Sequence, residues 1–110
     1  MNDIPEVDDF AHFFDQRSGT LWVFGGYMNG QKCNLFFKID VVKGATIVNQ
    51  DTHPLHPNSR KMPCQRSGSR MAFSSRDNCL YLFGGLNFNN QTLNDMWTYN
   101  LLSEMWEPIR

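Results

Sequence analysis

Leu80-Tyr81-Leu82-Phe83-Gly84-Gly85, followed after a polar loop by Asn94-Asp95-Met96-Trp97-Thr98-Tyr99-Asn100 and then by Trp106, is the stretch that decides the fold. The first piece is an unbroken apolar run closed by two glycines. The second alternates: Asp95, Trp97 and Tyr99 fall on one face of a strand and Met96 and Thr98 on the other, because successive side chains in a strand point oppositely. An apolar run, a glycine pair, an alternating aromatic strand and a final Trp-bearing strand describe consecutive strands of one small antiparallel sheet.

About sixty residues earlier the order recurs, at a spacing expected of sheet-based repeats. Leu21-Trp22-Val23-Phe24 closes on Gly25-Gly26, and Asn34 to Asp40 aligns with Asn94 to Asn100. The loop between is one residue longer in the second copy. Upstream of each glycine pair lies another apolar piece, Phe10-Ala11-His12-Phe13-Phe14 and Met71-Ala72-Phe73, ending in a polar turn. Each copy therefore reads as four strands, all-β throughout. The glycine pairs end their strands where the backbone must turn or approach another segment closely, places for positive φ and no Cβ.

At these residues the chain resembles the kelch repeat family. The resemblance implies a kelch-type β-propeller fragment of two four-stranded antiparallel blades. Gly84-Gly85, Tyr99 and Trp106 fill the places of the family's glycine pair, Tyr-bearing strand and Trp-bearing strand, and Trp97 lies in the third strand with Tyr99. Pro63, Arg66 and Gly68 resemble the segment leading into a kelch blade, with Ser69 where a His is common. The first copy departs further: Phe37, Ile39 and Thr46 align with Trp97, Tyr99 and Trp106, so its membership rests on Gly25-Gly26.

The chain divides into an acidic segment over 1–9, a degenerate first blade over 10–48, a Pro-rich basic connection over 49–69 and a second blade over 70–110. With 41% hydrophobic and 14% aromatic residues in 110, a core is affordable. Its difficulty is topology. Propellers close with about four to eight blades, and two blades leave two outer faces bare. If about five large side chains per face forfeit half of the roughly 1.5–3 kcal/mol of full burial, the shortfall is on the order of 10 kcal/mol, a typical domain's net stability. The chain therefore reads as part of a larger propeller, a truncated product, or a piece completed by further blades or by self-association.

A net charge of −1 excludes strong global attraction to nucleic acid or membranes. Cys33, Cys64 and Cys79 follow no metal-ligand spacing, and with no signal segment a reduced cytoplasmic setting is the expectation. His53, His56 and Cys64 have a weak metal flavour, but Pro54 and Pro57 oppose the helix that would align the two histidines. His12, Ser74 and Asp77 can be assembled as a catalytic set only on paper. No metal, cofactor or catalytic residue is expected, and the reading is non-enzymatic.

The functional expectation is protein binding through blade loops, as a scaffold or adaptor for an unidentified partner. Rigid scaffolds commonly place function on loops. Candidate contacts are Tyr27, Asn87, Phe88 and Asn89 in the loops after the glycine pairs, and Arg60, Lys61 and Arg66 in the connection. Phe88, a ring between two Asn residues, either anchors a partner or caps a neighbouring blade. The rival reading is a fragment of a propeller enzyme, a copper oxidase or hydrolase, with its active residues outside this chain.

Overall fold

Two runs of alternating residues, each broken by tight polar turns, build two antiparallel sheets in the computed structural model, which describes residues 5–49 and 62–109. All regular elements among these residues are strands. The first sheet contains β1 (Ala11–Asp15), β2 (Thr20–Phe24), β5 (Phe36–Asp40) and β6 (Gly44–Asn49), in the order β1-β2-β5-β6. A hairpin of β3 (Tyr27–Met28) and β4 (Gln31–Lys32) projects between β2 and β5. The second sheet contains β7 (Arg66–Ser67), β8 (Arg70–Ser74), β9 (Cys79–Asn87), β10 (Thr92–Asn100) and β11 (Met105–Ile109). Here β9 pairs with β10 on one side and with β7 and β8 on the other, and β11 closes the outer edge. All-β architecture and the repeated four-strand meander agree with the sequence reading.

The register refines one alignment. Ile39 faces Ala45 across the first sheet as Tyr99 faces Trp106 across the second, so Ala45, and not Thr46, holds the place of Trp106. The sequence comparison slipped because the turn that pairs Asp40 with Gly44 is one residue shorter than the turn that pairs Asn100 with Met105, and a one-residue slip exchanges the faces.

The blades meet face to face. Phe24 and Phe36 from the first sheet and Leu80, Leu82, Tyr99 and Trp106 from the second form one buried cluster, which also includes Ala11 and Met62. Its centre is aromatic: Phe36 lies 4.7 Å from Tyr99 and 4.9 Å from Trp106 between ring centroids, both edge-on, the arrangement that ring quadrupoles favour. Trp97 and Trp22 border this cluster, half-buried, so all three tryptophans serve packing.

The expectation of two bare outer faces is half corrected. On the far side of the first blade, Val23 and Phe37 are 2% and 1% exposed, in a second cluster with Cys33 and Leu35, against which Val7, Phe10 and Met28 pack. The segment before β1 and the β3–β4 excursion supply this cover. Among the described residues the outer side of the second blade has no such cover, and Phe83 and Ile109 stand 48% and 46% exposed there.

A further difference concerns the connection. Of the stretch 49–69, the part carrying His53, His56, Arg60 and Lys61 lies outside the described residues. Met62, Pro63, Arg66, Ser67 and Ser69 are all buried, wedged where the blades join. Prolines and polar residues disguise a packed segment as a loop.

Candidate interaction surface

Gly25-Gly26 directly follows β2, as expected, whereas Gly84-Gly85 lies inside β9, which runs on to Asn87; all four glycines have φ between 69° and 103°, a region that side chains rarely adopt. Space is as restrictive as φ. A Cβ on Gly26 would lie 2.3 Å from the Asp8 carbonyl oxygen, and one on Gly25 would lie 2.7 Å from that of Arg66. The backbone of an incoming segment thus presses directly on each glycine pair.

Beyond the glycines two loops emerge side by side. In the first blade the β3–β4 hairpin turns at Asn29-Gly30, with φ of 56° and 79°, the two positive angles that a two-residue hairpin loop of the favoured twist requires. In the second, residues 87–91 turn around Asn87. Its side-chain carbonyl accepts from the backbone N–H of Asn89 and of Gln91, each at 2.9 Å, and its amide donates to the Gln91 side chain at 3.0 Å. Asn87 is therefore a framework residue of the loop. Phe88, held at the tip, is 63% exposed, so among the described residues it caps no neighbouring blade and is free to anchor a partner.

Lys32 fastens the two loops together. Only 7% exposed, it donates from Nζ to the Asn87 backbone carbonyl at 2.8 Å and to the Asn90 side-chain oxygen at 2.5 Å, 5.7 Å from the centre of the Tyr27 ring. A buried ammonium must be compensated by acceptors and ring electrons, and those acceptors come from the other blade. Tyr27, Asn29, Phe88 and Asn89 thus belong to one continuous surface. Sequence reasoning missed Lys32. The Asn29-Gly30 pair was the available signal, since it marks a hairpin and sets Lys32 beside its root.

Arg66 does not belong to that surface. Its side chain is 1% exposed and forms a two-pronged ion pair with Asp95, at 2.7 and 2.9 Å, while also donating to the Gly84 and Cys64 carbonyls. Trp97 Nε1 donates to the same Asp95 carboxylate at 2.9 Å. Burial pulls the Arg66 guanidinium down, but its Asp95 partner more than offsets this and holds it above its ordinary value. Burial likewise raises the Asp95 carboxyl, yet the bonds from Arg66 and Trp97 prevail and keep it below the usual carboxylate range.

The paper catalytic set does not form. Asp77 accepts hydrogen bonds from Ser74 and from the Tyr81 hydroxyl, which lower its pKa, in a turn of the second blade, whereas His12 packs against Phe10 in the first. Burial pushes the Cys33 and Cys79 thiols up, away from the thiolate form that nucleophilic chemistry needs. Among the described residues no group of His, Cys, Asp and Glu is placed to hold a metal ion.

Residues 67–110 match the family model described as the Kelch motif. The chain is also similar to Mei4-dependent protein 6 of Schizosaccharomyces pombe, 40% identical over 42 residues. That alignment covers 38% of this chain and spans only 6% of the relative's length.

Proposed function

We propose, from the match of residues 67–110 to the Kelch motif, that this chain is a non-enzymatic protein-interaction module of the kelch kind whose partner binds the loop surface beyond the glycine pairs. The observation that carries this reading is Phe88. A large apolar ring 63% exposed, at the tip of a loop made rigid by five hydrogen bonds around Asn87 and joined through Lys32 to the next loop, loses little freedom when a partner covers it. Tyr27 and Asn29 supply a half-buried ring and an exposed amide beside it.

A photo-crosslinking residue at position 89 tests the proposal, with position 17, in the turn at the opposite end of the first sheet, as the control. The expected result is one defined cross-linked species from position 89, lost when Phe88 is replaced by Ser, and none from position 17. Equal capture at both ends, or capture indifferent to Phe88→Ser, would refute it.

A further inference from the structure

The segment before β1 borders the loop surface and is two-sided. Asp8 exchanges both backbone hydrogen bonds with Tyr27 at the root of the β3–β4 hairpin: its N–H donates to the Tyr27 carbonyl at 3.1 Å and its carbonyl accepts from the Tyr27 N–H at 2.8 Å. This antiparallel bridge holds the neighbouring residues in place. Val7 packs inward against Val23, Cys33, Leu35 and Phe37, whereas Glu6 and Asp8 are exposed on either side of it.

Between the segment and the hairpin lies a cleft of about 660 Å³, open to solvent and lined by Glu6, Val7, Asp8, Tyr27, Asn29 and Gly30. The lining offers two carboxylates, a phenol ring and an amide, and no cation. Among the described residues neither carboxylate is paired with a lysine or an arginine, and the basic side chains are engaged or placed elsewhere. Lys32, beside the Tyr27 ring, is 7% exposed and held by Asn87 and Asn90. Arg66 is buried against Asp95, Lys38 lies over the Trp22 ring, and Arg70 stands in the sheet opposite Phe83. Arg17, Lys43 and Arg76 lie in turns at the other end of the sheets. Asp9, also exposed, adds a third carboxylate beside Gly68. The loop surface is therefore acidic around an aromatic ring.

We infer that this cleft receives an arginine side chain of the protein segment that covers Phe88, so that the partner is a basic and partly apolar stretch. The inference rests on the loop-binding reading and adds the partner's charge to it. A guanidinium presents a planar fork of donors that matches carboxylates and stacks on an aromatic face, which a lysine ammonium does less well. The spacing suits one short segment. Lys32 Nζ lies 2.8 Å from the Asn87 carbonyl and 5.7 Å from the centre of the Tyr27 ring, which brings the cleft and the root of the Phe88 loop within a few residues of extended chain at roughly 3.3–3.6 Å each. Carboxylates at the cleft repel the phosphates of a nucleic acid and the side chains of an acidic peptide alike.

A displayed library of random peptides, selected in parallel on the chain, on Phe88→Ser and on the double variant Glu6→Gln with Asp8→Asn, tests this. Peptides whose capture is lost in Phe88→Ser report on the loop surface. Among them arginine should be enriched about two to four positions from an apolar residue. A synthetic peptide of that kind should bind the double variant about five- to tenfold more weakly, with the melting temperature unchanged. Salt at about 0.5 M should erase most of that difference, because exposed charges are screened. Replacing Glu6 and Asp8 with Lys should reverse the preference, favouring the same peptide with glutamate in place of arginine, an exchange that a merely structural role for these residues would not produce. Phe88-dependent peptides without arginine preference, or undiminished binding to the double variant, would overturn the inference and leave the loop proposal standing. Selection of acidic peptides by the unmodified chain would overturn it as well. A library in which no peptide depends on Phe88 would remove the loop proposal and this inference with it.

Discussion

The Arg66 guanidinium is almost wholly withdrawn from water, and its compensation comes from one carboxylate and two carbonyls. Removing a partner from such a pair strands the other charge or its acceptors. Arg66→Ala should cost about 3 kcal/mol, the low end of the range for broken buried pairs, because Asp95 still reaches solvent at 37% exposure. Denaturant melts would measure it, and a loss within experimental error would mean that Arg66 packs without stabilising. The pair also has a pH signature. The Asp95 carboxyl sits below its ordinary value, so its contribution is full above the unfolded pKa of about 4 and is lost as pH falls through the folded value. Replacing Asp95 with Asn should therefore lower stability at pH 7 and flatten the acid-side decline below about pH 4; melting curves with the same pH slope as the parent would contradict this. Glycines allow a second comparison at this scale. Gly25 and Gly30 both have φ above 70°, but a Cβ at Gly30 would meet nothing within 4 Å. Gly30→Ala should cost only the conformational term, about 1–2 kcal/mol, and Gly25→Ala distinctly more, because the Arg66 backbone has to move.

Among the elements, the hairpins and turns determine how much of the molecule could be read in advance. Alternation and the doubled Gly-Gly runs made the four-strand meanders legible, since burial on one face imposes period two on the residues. Three things escaped that logic. Met62–Ser69 packs through the Met62 and Pro63 side chains, its backbone and one arginine, a combination with no periodic signature. The turn after Asp40 is one residue shorter than the turn after Asn100, a difference that moved Trp106's counterpart from Thr46 to Ala45. The loop surface depended on Lys32 reaching across to the other blade, a relation between residues 55 apart with no local trace. Its importance can be measured. Lys32→Met keeps the stem and removes two charge-assisted hydrogen bonds, which together with the Tyr27 contact hold the loops in place. The expected loss is about 1.5–3 kcal/mol, with faster amide exchange confined to residues 87–91 and unchanged protection in β9 and β10. Loss of protection throughout the second sheet would instead make Lys32 a determinant of the whole blade.

For the whole molecule, the question is whether two blades unfold as one. Repeat proteins approximate a sum of unit stabilities and interface terms, and their units can melt separately when the interface is weak. Here the central cluster is shared: Phe24 and Phe36 come from one sheet and Tyr99 and Trp106 from the other, and Phe36 touches both of the latter edge to face. Each blade alone would leave this apolar layer in water, and the lead-in at Arg66 would lose either its backbone partners on Gly26 and Cys33 or its side-chain partner Asp95. Neither blade therefore has a complete core of its own, and unfolding should be a single transition. Amide protection of Val23 in the first sheet and of Leu82 in the second should vanish at the same denaturant concentration. Phe36→Ala, which removes a ring that is 0% exposed, should cost about 3–5 kcal/mol and lower both midpoints equally. If Leu82 stayed protected after Val23 had exchanged, the second blade would have stability of its own, and the shared aromatic layer would be a contact between independent units rather than the core of one.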